Sequence, residues 1–280
     1  MNAIDIAATM VAQALAQAGD RLAIVGIAGA QGSGKSTLAT AIKNRMDAAQ
    51  VPTALLSIDD LYLTQAERIA LARDVHPLLR TRGVPGTHDI SLGLELIATL
   101  DRGEAVALPR FDKGTDDRLP SARWDRAPAG TRLLLLEGWC VGARPQHADA
   151  LNTPTNALER EEDAEGCWRR YVNAALEGPY QRLFDRIDRL IFLAAPDFSV
   201  VEQWRGEQEQ TLRAVGQGMD DATLTRFIQH YERITRHMLD DMPHRADMLI
   251  QLNTQRRMVA AREMSITSPA PPRDRGRPAR

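Results

Sequence analysis

Residues 29–37 read GAQGSGKST, and no other feature of this 280-residue chain constrains its fold as tightly. Gly29, Gly34, Lys35 and Ser36 fill the pattern G-x-x-x-x-G-K-S/T, the phosphate-binding P-loop. The pattern needs glycine because backbone N–H groups must turn inward around phosphate oxygens with no Cβ in the way. Ala30, Gln31, Gly32 and Ser33 form the turn itself. Lys35 reaches the β- and γ-phosphates as a point charge, and Ser36 offers a hydroxyl to Mg²⁺. Thr37 follows in the first turn of a helix whose positive end faces the anion. With glycine near 7% of residues, a chance match in a chain this long has a probability of roughly one in a hundred. The context is also the one the motif requires, since the apolar run LAIVGI (22–27) precedes it and a helical run follows.

Four further apolar runs follow: ALLSI (54–58), LLLL (133–136), LIFL (190–193) and MLIQL (248–252). All are short and nearly unbroken, as strands covered on both faces are. Helical spacing is clearest over residues 4–18, 91–100, 168–186, 198–215 and 221–239, and helical stretches separate most of the runs. The fold class is α/β, a parallel sheet wrapped by helices. Residues 62–131 form a long connection with little apolar periodicity beyond one helix, and connections of that length usually carry function.

An apolar fraction of 44% and a charged fraction of 26% exclude a disordered, collagen-like or disulfide-framework chain. The net charge of −2 gives no electrostatic reason to expect nucleic acid or an anionic membrane as partner. The balance is uneven, because SITSPAPPRDRGRPAR (265–280) carries +3 and leaves −5 on residues 1–264. That tail reads as a disordered, Pro-rich appendix. Cys140 and Cys167 are too few for a metal cluster or a staple and suit a reducing compartment. Neither a signal peptide nor a membrane span is expected, so the default location is cytoplasmic. His76, His147, His230, His237 and His244 lack metal-ligand spacing and are assigned no metal.

Of the 35 basic residues only Lys35, Lys43 and Lys113 are lysine. Ammonium is a compact point charge and guanidinium a broad planar fork, so each lysine raises the question of a narrow site. Lys43 reads as a surface residue, Lys35 belongs to the P-loop, and Lys113 falls in the long connection.

A GTP-specific switch would carry an N-K-x-D base-reading motif, and there is none. The run LLLL ends in Glu137, the candidate second metal-side carboxylate beside Ser36, with a helix-start or cap role as the alternative. Asp59 and Asp60 lie just past the second strand, at the sheet edge where ligands bind. Phosphoryl transfer to a hydroxyl needs one carboxylate to orient the nucleophile and accept its proton. Adjacent side chains of an extended chain alternate, so the pair divides. Asp59 is the expected base, and Asp60 caps the turn into Leu61 or supports the metal through water.

GAQGSGKST, SIDDLYLT, HPLLRTRGVPGTHD, LPRFDKGTDDR, LLLLEGW and FSVVEQWRGEQEQTLR occur in this order, and together resemble the D-glycerate 3-kinase family within the phosphoribulokinase, uridine kinase and pantothenate kinase group. The likeness covers about residues 22–253. It implies five parallel strands ordered 2-3-1-4-5 and Asp59 as catalytic base. The implied reaction is ATP-dependent, Mg²⁺-assisted phosphorylation of the primary hydroxyl of glycerate, giving 3-phosphoglycerate. It further implies one kinase domain over 1–264, with an acceptor-binding insertion (62–131) and a lid region (198–220). The lid would extend Arg205 and Arg213 toward the transferring phosphoryl group, unless Glu207 and Glu209 simply pair with them on a solvated helix. A small acid needs cationic recognition, for which Arg80, Arg82, Arg110, Lys113 and Arg118 are candidates, with Thr87, His88 and Asp89 for its hydroxyls. Trp204 reads as packing rather than as a base platform. The competing readings are a nucleoside or pantothenate kinase, which an aromatic content of 5% disfavours for nucleosides, and a nucleotide-binding regulator with no small acceptor.

Overall fold

The computed structural model describes residues 2–213 and 218–264. Asn2 and Asp5 cap each other's backbone amides at the start of α1 (Ala3–Ala18), whose buried face packs on the sheet. β1 (Ala23–Gly29) is buried along its whole length and leads through the P-loop into α2 (Lys35–Ala48) and β2 (Thr53–Ser57). The long connection holds α3 (Gln65–Asp74), α4 (Ile90–Asp101) and two small hairpins. In these, β3 (Val106–Leu108) pairs with β6 (Asp125–Ala127), and β4 (Phe111–Asp112) with β5 (Asp117–Arg118). Next come β7 (Leu133–Gly138), α5 (Ala157–Glu162), α6 (Cys167–Ala175), α7 (Gln181–Phe184) and β8 (Arg189–Ala194). The chain ends in α8 (Phe198–Arg213), α9 (Asp221–Asp241), β9 (Met248–Leu252) and β10 (Met258–Glu263).

The main sheet runs β10-β9-β8-β1-β7-β2. Its five parallel strands, counted in chain order, stand 2-3-1-4-5, and β10 adds antiparallel to β9. This sixth strand is absent from the five-strand expectation because MVAARE is an edge strand, nearly all of it exposed, and its apolar residues show no strand-like alternation. Pairing sets Glu137 level with Ile27 on one side and Ser57 on the other, so the ends of β1, β7 and β2 emerge together. Two apolar cores cover the faces. One lies under α1, α2 and α8, the other under α4, α6 and much of α9.

α3 is not among the expected helices because its one buried side chain is Arg68, which leaves no apolar stripe to read. The helix expected over 168–186 is interrupted by a wide π turn at Leu176–Tyr180 that contains Pro179. Proline lacks the N–H that a regular turn would use. Residues 214–217 of the expected lid, and the tail at 265–280, lie outside the described residues. Among the described residues no helix is long and apolar enough to cross a membrane.

Candidate active site

A cleft of about 520 Å³ opens at the carboxyl ends of β1, β7 and β2. Gln31, Gly32, Lys35 and Ser36 line it from the P-loop side. Gly29, Ala30 and Ser33 are buried behind them, while Gly34 and Thr37 are exposed at the start of α2. The Ser36 hydroxyl donates to Glu137 Oε1 at 3.0 Å. Glu137 is buried, and its Oε2 has no partner among the described residues.

β2 ends in a single 3₁₀ turn, Ile58–Leu61, in which Ser57 Oγ accepts from the Asp59 amide. The turn sends the two acids apart. Asp59 faces the cleft, its Oδ1 accepting from the Tyr62 hydroxyl at 2.9 Å and its Oδ2 from Lys113 Nζ at 2.7 Å. Burial alone would raise the Asp59 carboxyl, but the ammonium groups of Lys113 and Lys35 hold it down at about 2. Burial and the Asp59 charge raise Tyr62 well above its ordinary value, which keeps its hydroxyl a donor. Asp60 is not among the residues that line the cleft. Its carboxylate accepts from the Phe111 amide at 3.1 Å and pairs with Arg110 at 3.0 Å, tying the β4–β5 hairpin to the end of β2.

Of the residues proposed for the acceptor, Arg82 and Lys113 reach the cleft. Arg82 pairs with Asp116, which also holds the buried Arg68, and lies over the Phe111 ring. Its neighbour Gly83 has φ 130°, and a Cβ there would overlap the Tyr231 hydroxyl. Glycine thus lets the loop lie against α9. Tyr231 donates to the Arg82 carbonyl at 3.1 Å and Trp139 Nε1 to the Gly83 carbonyl at 2.9 Å, so Arg82 is held from both sides.

The other candidates are not cleft residues. Arg80 is exposed away from it. Thr87 is spent inside its own turn, accepting from the Gly83 amide and donating to the Val84 carbonyl. His88 is buried, stacked on Tyr62 at 4.5 Å and bonded through Nδ1 to the Tyr180 hydroxyl; burial lowers it to about 3. Asp89 caps α4, Arg110 bridges Asp60 and Asp125, and Arg118 bonds the Tyr62 carbonyl and Asp89. For Thr87, Asp89, Arg110 and Arg118 a neighbouring carboxylate or backbone group takes the side chain that the sequence offered to a ligand, and for His88 the Tyr180 hydroxyl does.

The two arginines expected for a lid separate. Arg205 lines the cleft, over the Phe227 ring and paired with Glu209 at 2.6 Å. Arg213 turns to the α8–α9 connection, donating to the Met219 carbonyl and pairing with Asp221. Trp204 is fully buried. Arg256, from the β9–β10 turn, stacks on Trp204 and donates to the Gly32 carbonyl at 2.9 Å.

Tyr62, Trp139, Phe227 and Tyr231 also line the cleft, and sequence reading gave them no role. Tyr62 and Trp139 stand inside SIDDLYLT and LLLLEGW, where the neighbouring acids carry the stronger chemical signal. Phe227 and Tyr231 are four apart on α9, which reads as ordinary core spacing.

The family model for phosphoribulokinase and uridine kinase matches residues 24–143. An uncharacterized kinase of Schizosaccharomyces pombe is 36% identical over 218 residues, 74% of this chain and 78% of that one. The chloroplastic D-glycerate 3-kinase of Arabidopsis thaliana is 32% identical over 220 residues, 74% of this chain and 46% of the plant protein. Among solved structures, a D-glycerate 3-kinase from Cryptococcus neoformans superposes with a TM-score of 0.78 over 93% of this chain and 99% of that one. At 24% identity this is a likeness of fold.

Proposed function

The chain belongs to the phosphoribulokinase/uridine kinase family of P-loop kinases, and from that premise we propose that it transfers the terminal phosphoryl group of ATP to the primary hydroxyl of D-glycerate, giving 3-phosphoglycerate. One observation carries the acceptor reading: the Asp59 carboxylate faces the cleft beside Lys35, with Lys113, Arg82 and Arg205 on the same cleft. A hydroxyl acceptor asks for the carboxylate, and a small acid asks for the cations. The D-glycerate 3-kinase of Arabidopsis thaliana, 32% identical, supports the same acceptor.

In this reading the P-loop amides and Lys35 hold the β- and γ-phosphates. Ser36 and Glu137 would hold Mg²⁺, a fit supported by two hard oxygen donors and by the buried Glu137 Oε2 that has no partner among the described residues. When bound there, Mg²⁺ neutralises charge developing on the phosphate oxygens. Asp59 orients the acceptor hydroxyl and takes its proton as that oxygen bonds to phosphorus and the bond to ADP breaks. Arg205 neutralises the equatorial oxygens, and Arg82 with Lys113 receives the acid. Residues 62–131 are then the acceptor-binding insertion and α8 the start of the lid.

The cleft aromatics do not favour a nucleoside. Tyr62 carries His88 on one face, Trp139 and Phe227 pack on Tyr231, and Phe227 also carries Arg205. A base platform needs an open ring face. ADP release should therefore depend on D-glycerate and yield 3-phosphoglycerate. Turnover that ignores the acceptor, or that responds only to uridine or pantothenate, refutes the assignment.

A further inference from the structure

Lys113 stands at the tip of the β4–β5 hairpin with its ammonium on Asp59 Oδ2 at 2.7 Å. The Tyr62 hydroxyl occupies the other oxygen, so both oxygens of this carboxylate are engaged. The hairpin below is firmly tied. Asp60 holds the Phe111 amide, Asp116 holds Arg68 and Arg82, and Asp112 accepts from the Gly114 amide and the Thr115 hydroxyl. The Lys113 side chain is itself 61% exposed. It is a loose stem on a fixed base, free to swing without backbone movement.

The two cleft arginines are anchored differently. Arg82 pairs with Asp116 and Arg205 with Glu209, neither of which lines the cleft. The carboxylate that Lys113 pairs with is Asp59 itself. We propose that Lys113 is a displaceable cap on Asp59, drawn off the carboxylate by the anionic group of an acceptor, so that the group receiving the hydroxyl proton is released only when an anionic acceptor is seated. This rests on the kinase reading above and adds to it a device against transfer of the phosphoryl group to water.

The residue type fits the role. An ion pair whose ammonium is this exposed is weak, so an incoming carboxylate can compete for it. Arginine would grip Asp59 through two parallel N–H bonds and resist displacement. The chain uses 35 basic residues and only three are lysine, one of them at this point. The cap also measures length. With the ammonium and the carboxylate adjacent, an acceptor that hydrogen-bonds both at about 2.8 Å must hold its anion and its hydroxyl only a few ångströms apart. A three-carbon hydroxy acid meets that condition.

The test compares ATP hydrolysis without acceptor, and turnover with D-glycerate or the neutral triol glycerol, in full-length wild type, Lys113→Met, Lys113→Arg and Lys113→Met/Asp59→Asn. In hydrolysis the bond from phosphorus to ADP breaks, water oxygen takes its place, and the water proton passes to Asp59. Lys113→Met should raise acceptor-free hydrolysis about fivefold or more and lower the glycerate-to-glycerol ratio of kcat/KM at least about tenfold. Lys113→Arg should raise hydrolysis far less than Lys113→Met does, while lowering kcat with glycerate. Adding Asp59→Asn should abolish the gain in hydrolysis. Hydrolysis in Lys113→Met at or below wild type, or a gain that survives Asp59→Asn, overturns the cap. Because hydrolysis is read with no acceptor present, wild type that fails to phosphorylate glycerate counts against the acceptor assignment alone, and the hydrolysis rates still decide whether Lys113 caps Asp59.

Discussion

Asp59→Asn separates chemistry from binding more cleanly than any other single change. Asparagine keeps an acceptor oxygen for the Tyr62 hydroxyl, which now donates at 2.9 Å, but it cannot take a proton from a nucleophile. Losing a positioned general base costs roughly 10²–10⁴ in rate, or about 3–5 kcal/mol of transition-state stabilisation. Folding should scarcely change. The lost Lys113 pair is worth about 0–1 kcal/mol with its ammonium so exposed, and removing a carboxylate from a largely buried position offsets part of that. For a chain this size the melting temperature should stay within about 4 °C. Nucleotide affinity should hold or improve, since the charge removed lies near Lys35. The acid side has a definite sign. Lys113 and Lys35 hold the carboxyl at about 2 against its burial, below its ordinary value of 3.8. Its contribution to stability is then fully present above about pH 4 and lost as pH falls through about 2. The stability difference between wild type and Asp59→Asn should therefore be flat from about pH 5 to 8. Steady-state kinetics, nucleotide titration and thermal melts at several pH values read all of this. A kcat within about tenfold of wild type, or joint loss of nucleotide binding and melting temperature, would remove Asp59 from the chemistry.

Three further changes address the rest of the site and its support. Glu137→Gln keeps the shape beside Ser36 but weakens a hard-oxygen pair; turnover should fall at least about a hundredfold and recover in part with excess Mg²⁺, whereas unchanged Mg²⁺ dependence takes Glu137 off the metal side. Gly83→Ala places a Cβ against the Tyr231 hydroxyl at a backbone angle that L-residues avoid, at a cost of about 2–4 kcal/mol. Acceptor KM should rise at least about tenfold with ATP KM nearly unchanged, and a normal acceptor KM would show that this anchor does not place Arg82. Glu159→Gln leaves Arg233 as a buried cation against the carbonyls of Ala150 and Thr153, which should cost about 3–5 kcal/mol in urea unfolding. A loss below about 1 kcal/mol would mean that those carbonyls suffice.

The legible parts of the sequence were those where one physical requirement dominates a short segment. The unbroken apolar runs marked the parallel strands because both faces of each are covered, and GAQGSGKST marked the phosphate side because few residues can line an anion with backbone amides. Asp59 and Glu137 stood out as acids at strand ends. What stayed hidden depends on pairing across space. LPRFDKGTDDR displays its charges openly, yet nothing in it says that Arg110 goes to Asp60 and Asp125 while Lys113 goes to Asp59. Thr87 and Asp89 are equally good ligands for a hydroxyl on paper, but a tight turn and a helix cap claim them first. β10 and α3 stayed hidden because exposed strands and helices need no apolar periodicity.

Three successive residues at the end of β7 explain how the two halves of the cleft keep their distance. Glu137 meets Ser36 on the phosphate side. At Gly138 a Cβ would overlap Ile58, so the absence of a side chain lets the turn that carries Asp59 press directly against β7. Trp139 then reaches over to hold the Gly83 carbonyl, and with it the loop that presents Arg82. Glu137, Asp59 and the loop at Gly83 are thus registered to the end of one strand within three residues. Across the cleft, the Tyr231 hydroxyl lies beside the Gln31 side chain of the P-loop and bonds the Arg82 carbonyl. A shift of the P-loop on filling with phosphate would be felt at Arg82 through that single hydroxyl, while Glu137 and Asp59 stay fixed relative to each other on the sheet. In the proposed reaction the fixed pair would set the line of transfer, and the linked pair would adjust the grip on the acceptor.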